Sequence, residues 1–490
     1  MKNIFLSVLV ALPFISFAQD DIEKVTSTVS KSEIEGHIYF LASDELKGRQ
    51  TGTPENKIAA QYLANMLRGY GVKPATKNND YFQKVMLNAT SPFENASLNI
   101  GDFTTSKIVT LKKVNTSFSG SLVFVNYGLA EDYKNLDVNG KIVVSYSGTK
   151  ENSNLRFAFS KMQEKMAVAK EKGAIGIIEV NSIDDKTWSQ LDHSFNGEKM
   201  SVSEEKEEPN NSFTYLWIND QKEEISKFFK EKNEVSATIE VQGIKKSTVV
   251  SQNVVGMVEG TDPKLKDEFV IYSAHYDHVG IGKAINNDSI YNGARDNAVG
   301  TVTVLSAAQN IAKYPTKRSA LFILFTGEEK GLLGSKWYVN HPMIPLHQMV
   351  YCFNSDNGGY NDTSIATIVG LERTTAAEDI KSAATPFGLK AIDDPAPEQG
   401  LFDRSDNVHF AAKGIPAPTF SMGFTAFDEE ITKYYHQVTD NPDTLDYDYL
   451  LKFFQSYVLA CRNIANNPKT PFWVEGDKYY EAGKKLYNRK

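Results

Sequence analysis

Three apolar runs of strand length, over residues 269–274 (broken only by Ser273), 320–325 and 349–353, constrain this chain more than any other feature. A run with no polar alternation suits a strand buried on both faces of a sheet. A helix-period segment over 298–312 separates the first two runs, and from Asn253 onward strands and helices alternate. That alternation predicts a mostly parallel sheet covered by helices. Each run closes on polar chemistry: His275-Tyr276-Asp277, Gly327-Glu328-Glu329 and Ser355-Asp356. Open α/β sheets bind ligands at the carboxyl ends of their parallel strands, so these three clusters are expected to converge on one crevice. Carboxylates packed together repel one another unless a cation lies among them, and the crevice therefore calls for a metal.

With 490 residues the chain exceeds one domain of roughly 100–200 residues, so two or three units are expected. Its 41% hydrophobic and 23% charged residues belong to a folded globular protein. A net charge of −8 lacks the basic footprint of a nucleic-acid or anionic-membrane binder, so no nucleic-acid partner is expected. Cys352 and Cys461, without any CxxC pairing, leave room for one disulfide and no more. At the start, Lys2, an apolar run over 4–17 broken by Pro13, and Ser16-Phe17-Ala18 match a signal peptide over residues 1–18. The run is shorter than the about 20 residues that span a bilayer. The mature chain is thus expected to begin near Gln19, with no transmembrane segment, and to be exported to the periplasm or beyond the cell.

Residues 19–118 read as the first part of the main domain. In it a helix over 58–67 lies between the breaker 48–54 and Gly69 with Gly71. Residues 119–246 read as an inserted α/β unit, with strands at 122–125, 141–144 and 174–180 around a helix near 162–172. The run Glu204-Glu205-Lys206-Glu207-Glu208-Pro209 is expected to be a solvated loop of that unit. The main domain resumes over 247–467, and the tail 468–490, with Trp473, Tyr479, Tyr480 and Tyr487, is expected to pack back as an aromatic helix.

Two further residues matter. Asp296, just before the helix at 298, would by itself read as a helix N-cap, and His436 in Tyr434-Tyr435-His436-Gln437 as a surface histidine. Taken with the strand ends, they complete two histidines and three carboxylates, a nitrogen and oxygen set suited to zinc, with one more glutamate free as a base. His278, His341 and His347 read as ordinary surface or loop histidines.

The ordered series His-x-Asp, Asp-Asn, Glu-Glu, Asp and His resembles the M28 family of co-catalytic zinc peptidases. The opening Leu41-Ala42-Ser43-Asp44-Glu45-Leu46-Lys47-Gly48-Arg49 with Thr51-Gly52 is similar to that family's first segment. Residues 132–142 with Lys172-Gly173-Ala174 resemble its inserted protease-associated (PA) domain. The resemblance implies an α/β fold, a mixed, mostly parallel sheet sandwiched by helices, with the smaller PA domain inserted. It implies two zinc ions, one held by His275 and Asp356, the other by Glu329 and His436, with Asp296 bridging. Glu328 would be the general base, Asp277 would orient the His275 imidazole, and Tyr435 would lie near the tetrahedral oxyanion. A cis peptide at Asp296-Asn297 is implied as well. The tract Arg404-Ser405-Asp406-Asn407 carries Asn407 where the family usually has histidine, leaving His409 either to replace it or to cap a turn. The implied activity is that of an exported exopeptidase acting on peptides from the amino end, an aminopeptidase; a carboxypeptidase or a glutaminyl cyclase on the same scaffold is the alternative. A catalytically inactive binding protein is the alternative of another class, and the intact ligand series with Glu328 stands against it.

Overall fold

A computed structural model describes residues 12–488 apart from 77, 205–211 and 231, with the side chains of 12–18 also left out of the description. The expected leader over 1–18 therefore falls largely outside the described residues, as does the acidic run beyond Glu204. Backbone contacts divide the chain into two compact units, one formed up to Met86 and again from Val250, the other spanning Leu87–Val249.

The larger unit is built on the three apolar runs. Phe269–His275 pairs in parallel with Ser319–Phe325 on one side and with Met349–Ser355 on the other, and every residue of the three strands is buried. Their alternate side chains serve two cores. Val270, Tyr272 and Ala274 face a core with the helices Gly300–Lys313 and Tyr447–Asn466, whereas Phe269 and Ile271 face one with Tyr338, Phe410 and Trp473. Burial of each such large side chain contributes about 1.5–3 kcal/mol, and the one polar residue between them, Ser273, is buried with its hydroxyl donating to Asn354 at 2.9 Å. Thr419–Met422 extends the parallel set beside Met349–Ser355, while Ile365–Val369 and Lys246–Val258 join antiparallel at either side. The sheet is thus mixed, with a parallel centre sandwiched by helices.

The breaker at 48–54 becomes a helix start: Thr53 accepts the Asn56 amide, Pro54 takes the first turn, and the helix Pro54–Tyr70 ends on Gly71 in the left-handed conformation. The aromatic tail packs back as expected, with a helix over Tyr480–Leu486 and the Trp473 indole donating to the Gly414 carbonyl at 3.0 Å. Cys352 and Cys461 are both buried free thiols, so the one possible disulfide is not formed. Among the described residues no helix is long and apolar enough to cross a membrane.

The smaller unit has a parallel centre of its own, Thr116–Phe124, Ile142–Tyr146, Gly176–Asn181 and Thr214–Asn219, with the helix Leu155–Glu171 against it. It begins at Leu87, ahead of the position 119 expected from sequence, because Asn95–Ile100 and Ile108–Lys112 pair with Glu234–Gln242 and Thr214–Asn219. Short strands with mixed polar faces carry little periodicity, so their membership was set by partners more than 100 residues away.

His37 gives this fold a pH dependence. Burial pushes its pKa down from 6.5 to about 4, and its two ring nitrogens pair with the Tyr62 hydroxyl at 2.7 Å and the Tyr70 hydroxyl at 3.0 Å. The unfolded chain takes up this proton near pH 6.5 and the folded one only near pH 4, so stability falls as pH drops through that window. The slope is at most about 1.4 kcal/mol per pH unit for this one group. Urea unfolding of the larger unit at pH 7, 5.5 and 4.5 should show a shallower acid loss in His37→Gln than in the wild type; an unchanged slope would contradict the assignment.

Candidate metal centre

The register of the sheet brings the polar clusters together. His275 is the last residue of its strand and lies opposite Phe325, after which Gly327, at φ +73°, turns the chain into Glu328 and Glu329. Asp356 directly follows the third strand. Asp296 is not a helix cap: it lies in the irregular turn Ala294–Val299 at φ −111°, ψ 92°, ahead of the helix Gly300–Lys313, and the Asp296-Asn297 peptide is cis. Two hydrogen bonds tie this turn to the strand ends. The Asn297 amide donates to the Ser355 carbonyl at 2.9 Å, and the Thr301 hydroxyl donates to the His275 carbonyl at 2.7 Å. A side chain at Gly293 would overlap the Asp296 carbonyl oxygen and the His278 ring, and its φ of +62° also favours glycine.

The Asp296 carboxylate faces both histidines. Oδ1 lies 3.3 Å from His275 Nε2 and Oδ2 lies 3.1 Å from His436 Nε2. His275 Nε2 is also 3.2 Å from Asp356 Oδ1, and His436 Nε2 is 3.2 Å from Glu329 Oε2. Ligands about 2.0–2.1 Å from a tetrahedral ion stand about 3.3 Å apart, so these separations suit shared coordination spheres. Potential ligand atoms lie within 4.8 Å of one another inside each of two groups, His275 with Glu328 and Asp356, and His278 with Asp296 and Glu329. The charges agree with that fit. Burial disfavours the ionised forms, yet Asp296 and Glu329 raise His436 to about 10, and the imidazoles hold Asp296 well below the usual carboxylate range. Such a site draws positive charge toward itself at neutral pH.

Asp277 sits differently from the expectation that its carboxylate orients His275. The His275 Nδ1 is 3.2 Å from the Asp277 backbone carbonyl and 3.8 Å from its carboxylate. That carboxylate instead accepts the Thr51 hydroxyl at 2.7 Å and the Glu328 amide at 3.2 Å, fixing the backbone at Glu328. Glu328 Oε2 is 3.9 Å from His275 Nε2. His278 corrects the sequence reading: it is fully buried, with Nδ1 2.7 Å from Glu329 Oε1. The three-residue spacing from His275 was the one signal for it. His409 stays outside the centre, 2.9 Å from the Ser335 hydroxyl through Nδ1, while the Asn407 amide donates to the Ala417 carbonyl.

A small cleft opens beside Asp356 and is lined by Tyr435 and by the apolar Val369, Phe424, Phe427 and Ile431. The Tyr435 ring stacks on His436 with centroids 4.2 Å apart, and its hydroxyl accepts from Arg404 at 3.4 Å.

The sequence pattern of peptidase family M28 matches residues 253–460, and that of the PA domain matches 118–214. Aminopeptidase YwaD of Bacillus subtilis is 30% identical over 211 residues, 42% of this chain and 42% of that protein. Aminopeptidase Y of Saccharomyces cerevisiae is 25% identical over 210 residues, 41% of this chain and 36% of its own. The chain thus spans less than half the length of the curated relatives it matches. Among solved structures, an aminopeptidase from Aneurinibacillus sp. strain AM-1 superposes with a TM-score of 0.64 at 21% identity, over 92% of this chain and 97% of that one. The zinc aminopeptidase BSAP from Bacillus subtilis does so at 0.54 and 20% identity, over 90% and 97%. These two likenesses carry the fold. The motif series, the family matches and the fold agree: residues 253–460 form a peptidase family M28 domain, and a PA domain over 118–214 stands ahead of it.

Proposed function

We propose that this protein is an exported zinc-dependent aminopeptidase that removes the first residue of peptides. The observation that carries the reading is the Asp296 carboxylate, which turns one oxygen to His275 and the other to His436 with Glu328 alongside. His275 and Asp356 would hold one zinc ion, Glu329 and His436 the other, and Asp296 would serve both. Two zinc ions bound there would acidify a shared water and polarise the scissile carbonyl. Glu328 takes the proton from the attacking water and returns it to the leaving amine. Asp277 fixes the Glu328 amide, its backbone carbonyl faces the His275 imidazole, and His278 steadies Glu329. The Tyr435 hydroxyl would meet the negative charge on the tetrahedral oxygen. The names of the curated relatives support the aminopeptidase reading, and the segment 1–18 supports export.

The test is metal content with hydrolysis of free and N-acetylated aminoacyl substrates. About two zinc ions per chain, with cleavage confined to free amines and lost on chelation, is the expected result. Two zinc ions without such cleavage would move the activity to carboxypeptidase or glutaminyl cyclase chemistry, and an absence of zinc binding would overturn the metal assignment. Export predicts that protein recovered from cells begins near Gln19. The apolar cleft should also rank substrates. Each methylene placed in such a pocket adds about 1–3 kcal/mol to discrimination, so leucine amide should exceed glycine amide in kcat/KM by at least about 10²-fold. Equal rates would show that the cleft does not receive the first side chain.

A further inference from the structure

Arg49 and Asp440 are fully buried and lie outside the set of ligands and base, yet both direct their hydrogen bonds to one short stretch of backbone. Arg49 grips its carbonyl side. The guanidinium donates to Asn292, to Gly293 at 2.7 Å and to Asp296 at 3.4 Å. Its remaining donors reach Leu41 at 3.0 Å and Tyr276, next to His275, at 2.7 Å. Asp440 grips the amide side of the same stretch. Its carboxylate accepts the Arg295 amide at 3.0 Å and the Asp296 amide at 3.2 Å, and its own carbonyl accepts the Ala294 amide at 3.1 Å. The Arg295 guanidinium, 3.1 Å from Asp440, balances that buried charge.

Asp440 follows His436 by four residues, so the two grips join the segments that carry His275, Asp296 and His436. A carboxylate that serves two ions must present its oxygens in two directions within about 0.5 Å. A turn without regular hydrogen bonding cannot supply that precision by itself, because its ordering would have to be driven by metal binding at a cost in affinity.

We infer that Arg49 and Asp440 are positioning residues that together preset the Asp296 carboxylate between its two histidines before metal arrives. The inference rests on the two-zinc reading above. Its test is zinc titration of folded apoprotein against a chromophoric chelator, with apoprotein melting recorded alongside. Arg49→Lys keeps the charge and loses the fork of donors; Asp440→Asn keeps the shape and loses the charge. Each is expected to weaken zinc binding at least tenfold. The double variant should weaken it by clearly less than the product of the two, since both act on one stretch. Should Arg49→Lys fail to fold, Asp440→Asn carries the test alone. A purely structural role would lower the melting temperature and leave zinc affinity within twofold of the wild type, which would overturn the inference, as would losses that simply multiply. If the wild-type chain itself binds no zinc, the metal reading fails first, and that result is distinct from wild-type binding with unaffected variants.

Discussion

Glutamine in place of Glu328 is expected to lower turnover by about 10³- to 10⁴-fold while the protein still holds its zinc. The substitution keeps the side-chain volume and one oxygen but removes the ability to accept a proton, and positioned acid–base groups contribute about 10²- to 10⁴-fold. The upper part of that range is expected because the same carboxylate serves twice, first toward water and then toward the leaving amine. The backbone geometry should survive, since it is the Glu328 amide, not its side chain, that bonds Asp277 at 3.2 Å. Losses confined to kcat, with KM and metal content near wild type, would identify a group acting in the transition state. Activity within tenfold of wild type, with zinc retained, would remove Glu328 from the role of base. Glu329→Gln separates the two neighbours: it is expected to lose metal as well as rate, because Glu329 faces His436 at 3.2 Å and His278 at 2.7 Å.

How far the sequence speaks depends on the range over which each feature is encoded. The three apolar strands were legible because burial on both faces leaves few polar positions before the strand end, and their polar ends mark the crevice wherever the strands run parallel and in register. His275, Glu328, Glu329 and Asp356 are brought together on that account, whereas Asp296 and His436 reach the crevice from turns outside the sheet. His278 was not legible as a buried group, since a polar residue after a strand reads as loop unless its partner is known, and its partner Glu329 lies 51 residues on. Arg49 and Asp440 bond to backbone atoms more than 140 residues away, and no local periodicity encodes such contacts. Asp277 was legible as a residue of the site, but which of its atoms faces His275 is decided by packing against Thr51. The start of the smaller unit was hidden in the same way, because Asn95–Ile100 earns its place only by pairing with Glu234–Gln242.

In that smaller unit, Lys165→Met is expected to cost about 3–5 kcal/mol. Lys165 and Glu179 are both fully buried and paired through Nζ and Oε1, with the Lys165 ammonium also donating to the Tyr146 carbonyl at 2.9 Å. The Trp217 indole donates to the other Glu179 oxygen at 2.5 Å. Burial already raises the Glu179 pKa, against the pull of Lys165. Without Lys165 the carboxylate must either remain charged in an apolar surrounding or take up a proton, and either course destabilises the fold at neutral pH. The pair as a whole need not be strongly stabilising, because taking both charges out of water offsets most of their attraction. Lys165→Met with Glu179→Gln should therefore regain most of the loss: the amide oxygen still accepts from Trp217 and no charge is left unpaired. The single variant should also recover as pH falls, since protonating Glu179 removes the uncompensated charge. Hydrogen exchange of the strands Ile142–Tyr146 and Gly176–Asn181 at pH 5 and pH 8 reads both effects. A double variant no more protected than the single one would show that the cost lies in lost packing around the lysine stem and not in the charge left behind.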